Sequence, residues 1–111
     1  MATKKEVEEA LDRIAKKLDD PKLKESFKTF SKTMQFRFKD LDLSYYMVFS
    51  DGDVKEKKEG ALEKPDVDVH MDSDTFVGIQ NKEANAINAY TAGKIKVKGD
   101  MSDLLKLQKL L

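Results

Sequence analysis

The chain has 111 residues, 40% hydrophobic and 38% charged, a length near the commonest single-domain size with enough apolar content to build a core and exclude disorder. Twenty-one basic residues balance twenty-one acidic ones, so no whole-chain field recruits nucleic acid or an anionic membrane surface, and any charge-driven partner must be met locally. The absence of cysteine excludes disulfides, thiolate nucleophiles and Cys-rich zinc sites, so folding rests on packing.

The amino-terminal residues run straight into a charged amphipathic pattern, without the apolar stretch of a secretory signal, and no apolar run of membrane length follows; the expected location is the cytoplasm. Val7, Leu11, Ile14 and Leu18 recur at helical spacing behind Thr3, a good cap, with Glu6, Glu8 and Glu9 suiting a helix start. A first helix is predicted from about Thr3 to Asp19. Asp20-Pro21 resets the chain, and Leu23, Phe27 and Phe30 form a second apolar stripe that predicts a helix ending near Thr33.

The period then changes from helical to alternating. Met34, Phe36 and Phe38 alternate with Gln35, Arg37 and Lys39, and Leu43, Tyr45, Met47 and Phe49 do the same in a second strand that ends at the hairpin signal Asp51-Gly52. The returning strand, Val54 to about Ala61, is charged on both sides, as an edge strand is. After Pro65, Val67, Val69 and Met71 alternate with Asp66, Asp68, His70 and Asp72. Ser73 is placed to cap a short helix with Phe76, Val77 and Ile79, and Asn81 to cap another with Ile87 and Tyr90, stopped near Gly93. A fifth strand covers Lys94 to Lys98, and Asp100 opens a final helix. Without a repeat or a linker, residues 1–111 read as one domain.

Charge orders the strands. The fourth strand presents acids, whereas the first presents Arg37 and Lys39 and the fifth Lys94, Lys96 and Lys98. Opposite charges on neighbouring strands contribute roughly 0.2 to 1 kcal/mol each and like charges repel, so the acidic strand belongs between the two basic ones. The expected fold is α+β: a five-stranded, mixed but mostly antiparallel sheet of order 3-2-1-4-5, with helices covering one face.

Catalytic chemistry finds little support. The sole imidazole, His70, falls on the charged sheet face, so no nucleophilic triad is expected. His70 with Asp66, Asp68 and Asp72 lies along a flat ladder that splays the side chains apart, which argues against a metal. The lysine row of strand five reads as a solvated face paired with strand four, and Gly93 and Gly99 form no phosphate loop. Glu83 and Asp103 read as dipole partners at helix starts. No cofactor is expected.

The last helix, 101–111, is unusual. Met101, Leu104, Leu105, Gln108 and Leu111 share a face, and Leu107 and Leu110 widen the apolar arc beyond an ordinary amphipathic stripe. Either this surface is fully packed, or part of it lines a cavity or docks on a partner. Gln108 among leucines would cost about 1 to 3 kcal/mol if buried without a partner, so it should meet water, backbone or a ligand head group.

The stretch Ala89-Tyr90-Thr91-Ala92-Gly93-Lys94-Ile95-Lys96-Val97-Lys98-Gly99-Asp100-Met101, followed by Lys106-Leu107-Gln108, resembles the "AF-x-x-GKLKIKGNM…KLQ" signature of the sterol carrier protein-2 domain. Upstream, Pro65-Asp66-Val67-Asp68-Val69 through Ser73-Asp74-Thr75-Phe76 is similar to that family's "ADVTL…s-x-x-dF" strand and helix. The resemblance covers nearly the last half of the chain; the first half agrees in layout only. It implies a five-stranded sheet with helices on one face and, between them, an apolar tunnel for fatty acids, fatty acyl-CoA, phospholipids or sterols.

Carried over by position, Phe76, Tyr90, Met101, Leu105 and Gln108 fall on motif positions near that tunnel; Met71, Ile79 and Leu104 are added from the way their faces point. Tyr90 departs from the family's phenylalanine, which narrows the tunnel or adds a hydroxyl, and Asp100 replaces an asparagine. The resulting expectation is non-catalytic binding or transfer of a lipid or acyl-chain molecule. No nucleic-acid partner is expected, any membrane contact is transient, and the protein is a monomer or weak dimer. The alternative is a protein-interaction or dimerisation module using the apolar last helix.

Overall fold

The computed structural model describes residues 2–111, with the side chains of Met101 and Leu104 outside the described set. The elements in chain order are α1 (Lys4–Lys17), α2 (Pro21–Ser26), β1 (Thr33–Phe38), β2 (Leu43–Ser50), β3 (Asp53–Glu59), β4 (Val67–Met71), α3 (Ser73–Gln80), α4 (Ala86–Thr91), β5 (Ile95–Lys98) and α5 (Met101–Leu110). The strands form one sheet of order β3-β2-β1-β4-β5. Only the β1–β4 pair is parallel.

This is the order that the charge pattern predicts. Across the ladder, Gln35 faces Asp68 and Arg37 faces His70 on one side of β4, while Asp68 faces Lys98 and His70 faces Lys96 on the other. Arg37 Nε reaches Asp68 Oδ1 at 3.3 Å, and His70 Nε2 lies 3.2 Å from Asp68 Oδ2.

The helix-facing side of the sheet buries Met34, Phe36, Phe38, Tyr45, Met47, Phe49, Val67, Val69 and Met71. Against it lies α1 with Val7, Ala10, Leu11 and Ile14 buried. Its start is fixed by a reciprocal cap: Glu6 N–H donates to Thr3 Oγ1 at 3.1 Å and Thr3 N–H to Glu6 Oε1 at 3.0 Å. At the hairpin, Asp51 and Gly52 both have positive φ (53° and 82°), the pair of left-handed residues that a two-residue turn matching strand twist requires. A Cβ on Gly52 would also come within 2.8 Å of the Lys24 carbonyl oxygen.

Several boundaries differ from expectation. The second helix stops at Ser26 rather than near Thr33, and the chain is led into β1 by Lys32, whose carbonyl accepts from Phe49 N–H at 2.9 Å. Phe27 and Phe30, three apart, instead meet in a tight turn, edge to face at 5.4 Å, and both pack on Phe49. Asp72 rather than Ser73 occupies the cap position of α3; Ser73 turns to Asp40, donating its N–H to Oδ1 at 2.9 Å and its hydroxyl to Oδ2. Asn85 rather than Asn81 caps α4, accepting from Ile87 and Asn88 N–H groups at 2.9 and 3.1 Å.

The sheet's polar face is not simply open. The strand order obliges residues 60–66 to pass from the β3 edge to β4 across β2 and β1. They do so over Gln35, which is fully buried, accepts from Leu62 N–H at 2.5 Å and donates to Asp68 at 3.2 Å. Asp66 ends the crossing by accepting from Thr33 N–H at 2.8 Å. No helix among the described residues is long and apolar enough to cross a membrane.

Candidate functional site

Helix α5 is held along one side and at both ends. Near its start, Asp103, which is buried, accepts from Lys32 Nζ at 2.9 and 3.0 Å, so it is an anchor to the segment before β1 as well as a dipole partner. This hydrogen bond is the main reason the Lys32 pKa is raised. Lys106 Nζ donates to the Ser26 carbonyl at 2.5 Å and sits 5.1 Å above the Phe27 ring. At the far end, Lys17 Nζ donates to the Leu110 carbonyl at 2.7 Å, satisfying an acceptor that helix geometry leaves open. Partial burial, with Lys82 and Arg13 nearby, lowers the Lys17 pKa.

With that side pinned through Asp103, Leu107 and Leu110, the opposite face of α5, Leu105 and Gln108, looks towards α4. Helix α4 is short and buries Ala89 alone. It is joined to the sheet by the run into β5, where Lys94 N–H donates to the Ala89 carbonyl at 2.9 Å. Between the two helices is an apolar cavity of about 150 Å³, lined by Ala86, Ile87, Tyr90, Ile95, Leu105, Leu107, Gln108 and Leu111. Beside it is a larger cleft of about 1040 Å³, of mixed polar and apolar lining, bounded by Asp74, Thr75 and Ile79 of α3, the 82–85 loop, α4, Lys94, Gln108 and Leu111. The two share Ala86, Ile87, Gln108 and Leu111. The apolar cavity, the inner of the two, and the outer cleft therefore adjoin along these residues.

Of the residues expected at the site, Tyr90, Leu105 and Gln108 come together on the inner cavity, and Ile79 lines the outer cleft. Gln108 is exposed at the junction, so the cost of an unpaired buried amide does not arise. Phe76 is fully buried, its ring centroid 5.6 Å from Phe36 and 5.1 Å from Phe38, and Met71 is buried in β4; neither lines the two cavities. The side chains of Met101 and Leu104 lie outside the described residues. Leu111, on the expected apolar face of α5, also joins the lining, and Ile87 and Ile95 do so without having been expected. The three-residue spacing of Ile87 and Tyr90 on a six-residue helix was the available signal.

Comparison with known proteins matches residues 11–111 to the SCP-2 sterol transfer family. The chain belongs to this family, whose members bind and transfer lipids. Its fold is similar to Sterol Carrier Protein 2 Like 2 from Aedes aegypti, with a TM-score of 0.75 at 19% identity over 96% of this chain and 97% of that one. The solution structure of palmitated SCP2L2 from Aedes aegypti gives a TM-score of 0.66 at 18% identity, covering 91% and 89%. A third similar structure, the stereoselective inverting sec-alkylsulfatase Pisa1 from Pseudomonas sp., has a TM-score of 0.66 at 24% identity over 79% of this chain. The match takes in only 14% of that enzyme's length. No curated protein sequence matches the chain.

Proposed function

We propose that this family member carries a single-chain lipid, a fatty acid or an acyl derivative, between α4 and α5 and passes it on without covalent chemistry. The observation that supports this most is the junction at Gln108, where an apolar cavity adjoins a cleft that carries polar and charged groups. A molecule with a hydrocarbon tail and a polar head matches both parts. The tail would contact Tyr90, Leu105 and Ile87; Gln108 would meet the head, with Lys82 and Lys94 further out. Met101 and Leu104 are expected from the sequence on the same apolar face of α5, and their side chains lie outside the described residues. Phe76 and Met71 would act from behind, by fixing the packing on which α3 rests.

The inner cavity alone is smaller than the roughly 300 to 1,000 Å³ that ligand pockets occupy. An acyl chain would therefore span the inner and outer parts with α4 displaced outward. With Ala89 buried and Ala86 partly so, α4 has few apolar contacts to break in that displacement. The palmitated relative from Aedes aegypti is consistent with a fatty acyl ligand. On this reading residues 1–111 are one cytoplasmic lipid-binding domain that needs no cofactor.

Native mass spectrometry of the purified protein, followed by organic extraction, tests the proposal. A one-to-one adduct with a mass matching a fatty acid, acyl-CoA or phospholipid is expected. A bare mass, with no subsequent uptake of a fluorescent fatty acid, would overturn the carrier reading and bring forward an interaction module built on α5.

A further inference from the structure

Among the described residues, the large hydrophobic side chains left exposed are Ile87, Tyr90 and Leu105, at 51%, 42% and 57%. They lie together on the rim of the α4–α5 cavity rather than scattered over the surface. A cluster of exposed aliphatic and aromatic groups at one opening marks a contact surface. Its surroundings say what kind. Lys82 and Lys94 border the adjoining cleft, Lys109 follows Leu105 by one helical turn on the same face of α5, and all three are exposed with no ion pair among the described residues. The acids of the cleft are Asp74 and Glu83.

The neutral chain is also unevenly charged. Residues 85–111 contain five lysines against two aspartates, a net charge of +3 that leaves −3 on the remainder; of the five, Lys94 and Lys109 belong to this rim, while Lys96 and Lys98 lie opposite β4 and Lys106 is held by the Ser26 carbonyl. One of those aspartates, Asp103, is already held by Lys32.

We propose that this rim is a docking surface for an anionic phospholipid bilayer, with Ile87, Tyr90 and Leu105 entering the headgroup boundary and Lys82, Lys94 and Lys109 meeting lipid phosphates. Apolar insertion combined with lysines at the membrane surface is the pairing by which peripheral proteins bind reversibly. A second copy of the chain fits the same surface less well, because a two-fold contact would bring the unpaired lysines of both copies together. The proposal rests on the carrier reading only in the sense that docking here would present the cavity opening to the membrane.

Co-sedimentation of the full chain with phosphatidylcholine vesicles, with and without phosphatidylserine, is the test, run beside fluorescent fatty-acid uptake in vesicle-free solution. Binding is expected to phosphatidylserine vesicles at low salt and to be lost at high salt. The variant K82Q/K94Q/K109Q, which changes exposed side chains only, should bind on the order of a hundredfold more weakly, at roughly fivefold per charge. Equal binding by the variant, or no vesicle binding by the parent chain, would overturn the proposal. So would a concentration-dependent dimer that forms in place of vesicle binding. Because uptake is measured without vesicles, failure of docking leaves the carrier reading standing, and failure of uptake leaves docking to be judged on its own.

Discussion

Helices α1 and α4 cover the same face of one sheet but are held in opposite ways. Helix α1 buries four side chains completely, is capped reciprocally at its start, and is tied outward to the β3 edge by Lys57 against Asp12. Helix α4 buries one alanine and turns Ile87 and Tyr90 towards solvent. Burial of a full apolar stripe is what makes a helix permanent, since isolated helices of this length are marginal in water. One half of that face is therefore closed by a fully packed helix and the other by a helix with little buried surface, and the cavity lies beside the second.

The largest test of this contrast is Leu11→Ala. Leu11 is fully buried, so truncation should cost about 2 to 5 kcal/mol of unfolding free energy. Chemical denaturation measures this. A loss below about 1 kcal/mol would mean that α1 is no better packed than α4. The affinity of the remaining folded protein for fatty acid should be unchanged, because Leu11 lies away from both cavities.

A smaller effect is expected where α3 joins the firm half. Burial pushes the Asp40 carboxyl up, but the hydroxyl and N–H bonds from Ser73, together with the bond from its own backbone N–H and nearby positive charge, outweigh it and hold the pKa below the usual carboxylate value. A depressed folded value stabilises the protein above the unfolded pKa and loses that contribution as pH falls through the folded one. Thermal melts of the parent chain and Asp40→Asn should therefore differ most near neutral pH. The difference should close in acid, below the ordinary aspartate range. A gap that persists there would show that the carboxylate charge is not what holds the start of α3.

Much of the firm half was legible in the sequence because it rests on local or pairwise rules. The alternation of Met34, Phe36 and Phe38 identified β1, Asp51-Gly52 identified the hairpin, and the acids of β4 between two basic strands gave the order of the sheet. What escaped depends on long-range demands. Phe27 and Phe30 suit a turn as well as a helix, and only the sheet's hold on Lys32 chooses between them. Asn81 and Asn85 are equally good caps until Lys82 takes a φ of 62° and ends α3. The crossing over Gln35 follows from the strand order but leaves no pattern of its own. At the site, the surplus of leucines in α5, Leu111 included, signalled an open face, whereas the lining from Ile87 and Ile95 required knowing which elements lie opposite. Phe76 is hydrophobic on a helix beside the site, and its packing against Phe36 and Phe38 is decided by α3's seat on the sheet.

The smallest stability effect should come with the largest effect on binding, in Ile87→Ala combined with Leu105→Ala. Both side chains are more than half exposed, so their truncation should change the unfolding free energy by no more than about 0.5 kcal/mol each. If they contact the lipid tail, each removes roughly 1 to 3 kcal/mol of ligand contact. Fluorescent fatty-acid titration should then show at least a tenfold loss of affinity in a protein that melts almost normally. Hydrogen exchange separates the two helices further: the amides of α4 should exchange far faster than those of α1 without ligand, and slow when a fatty acid is added. If the double variant instead lost as much stability as Leu11→Ala, α4 would be part of the closed core. The cavity would then have no wall able to move, and an acyl chain would have no way to occupy both of its parts.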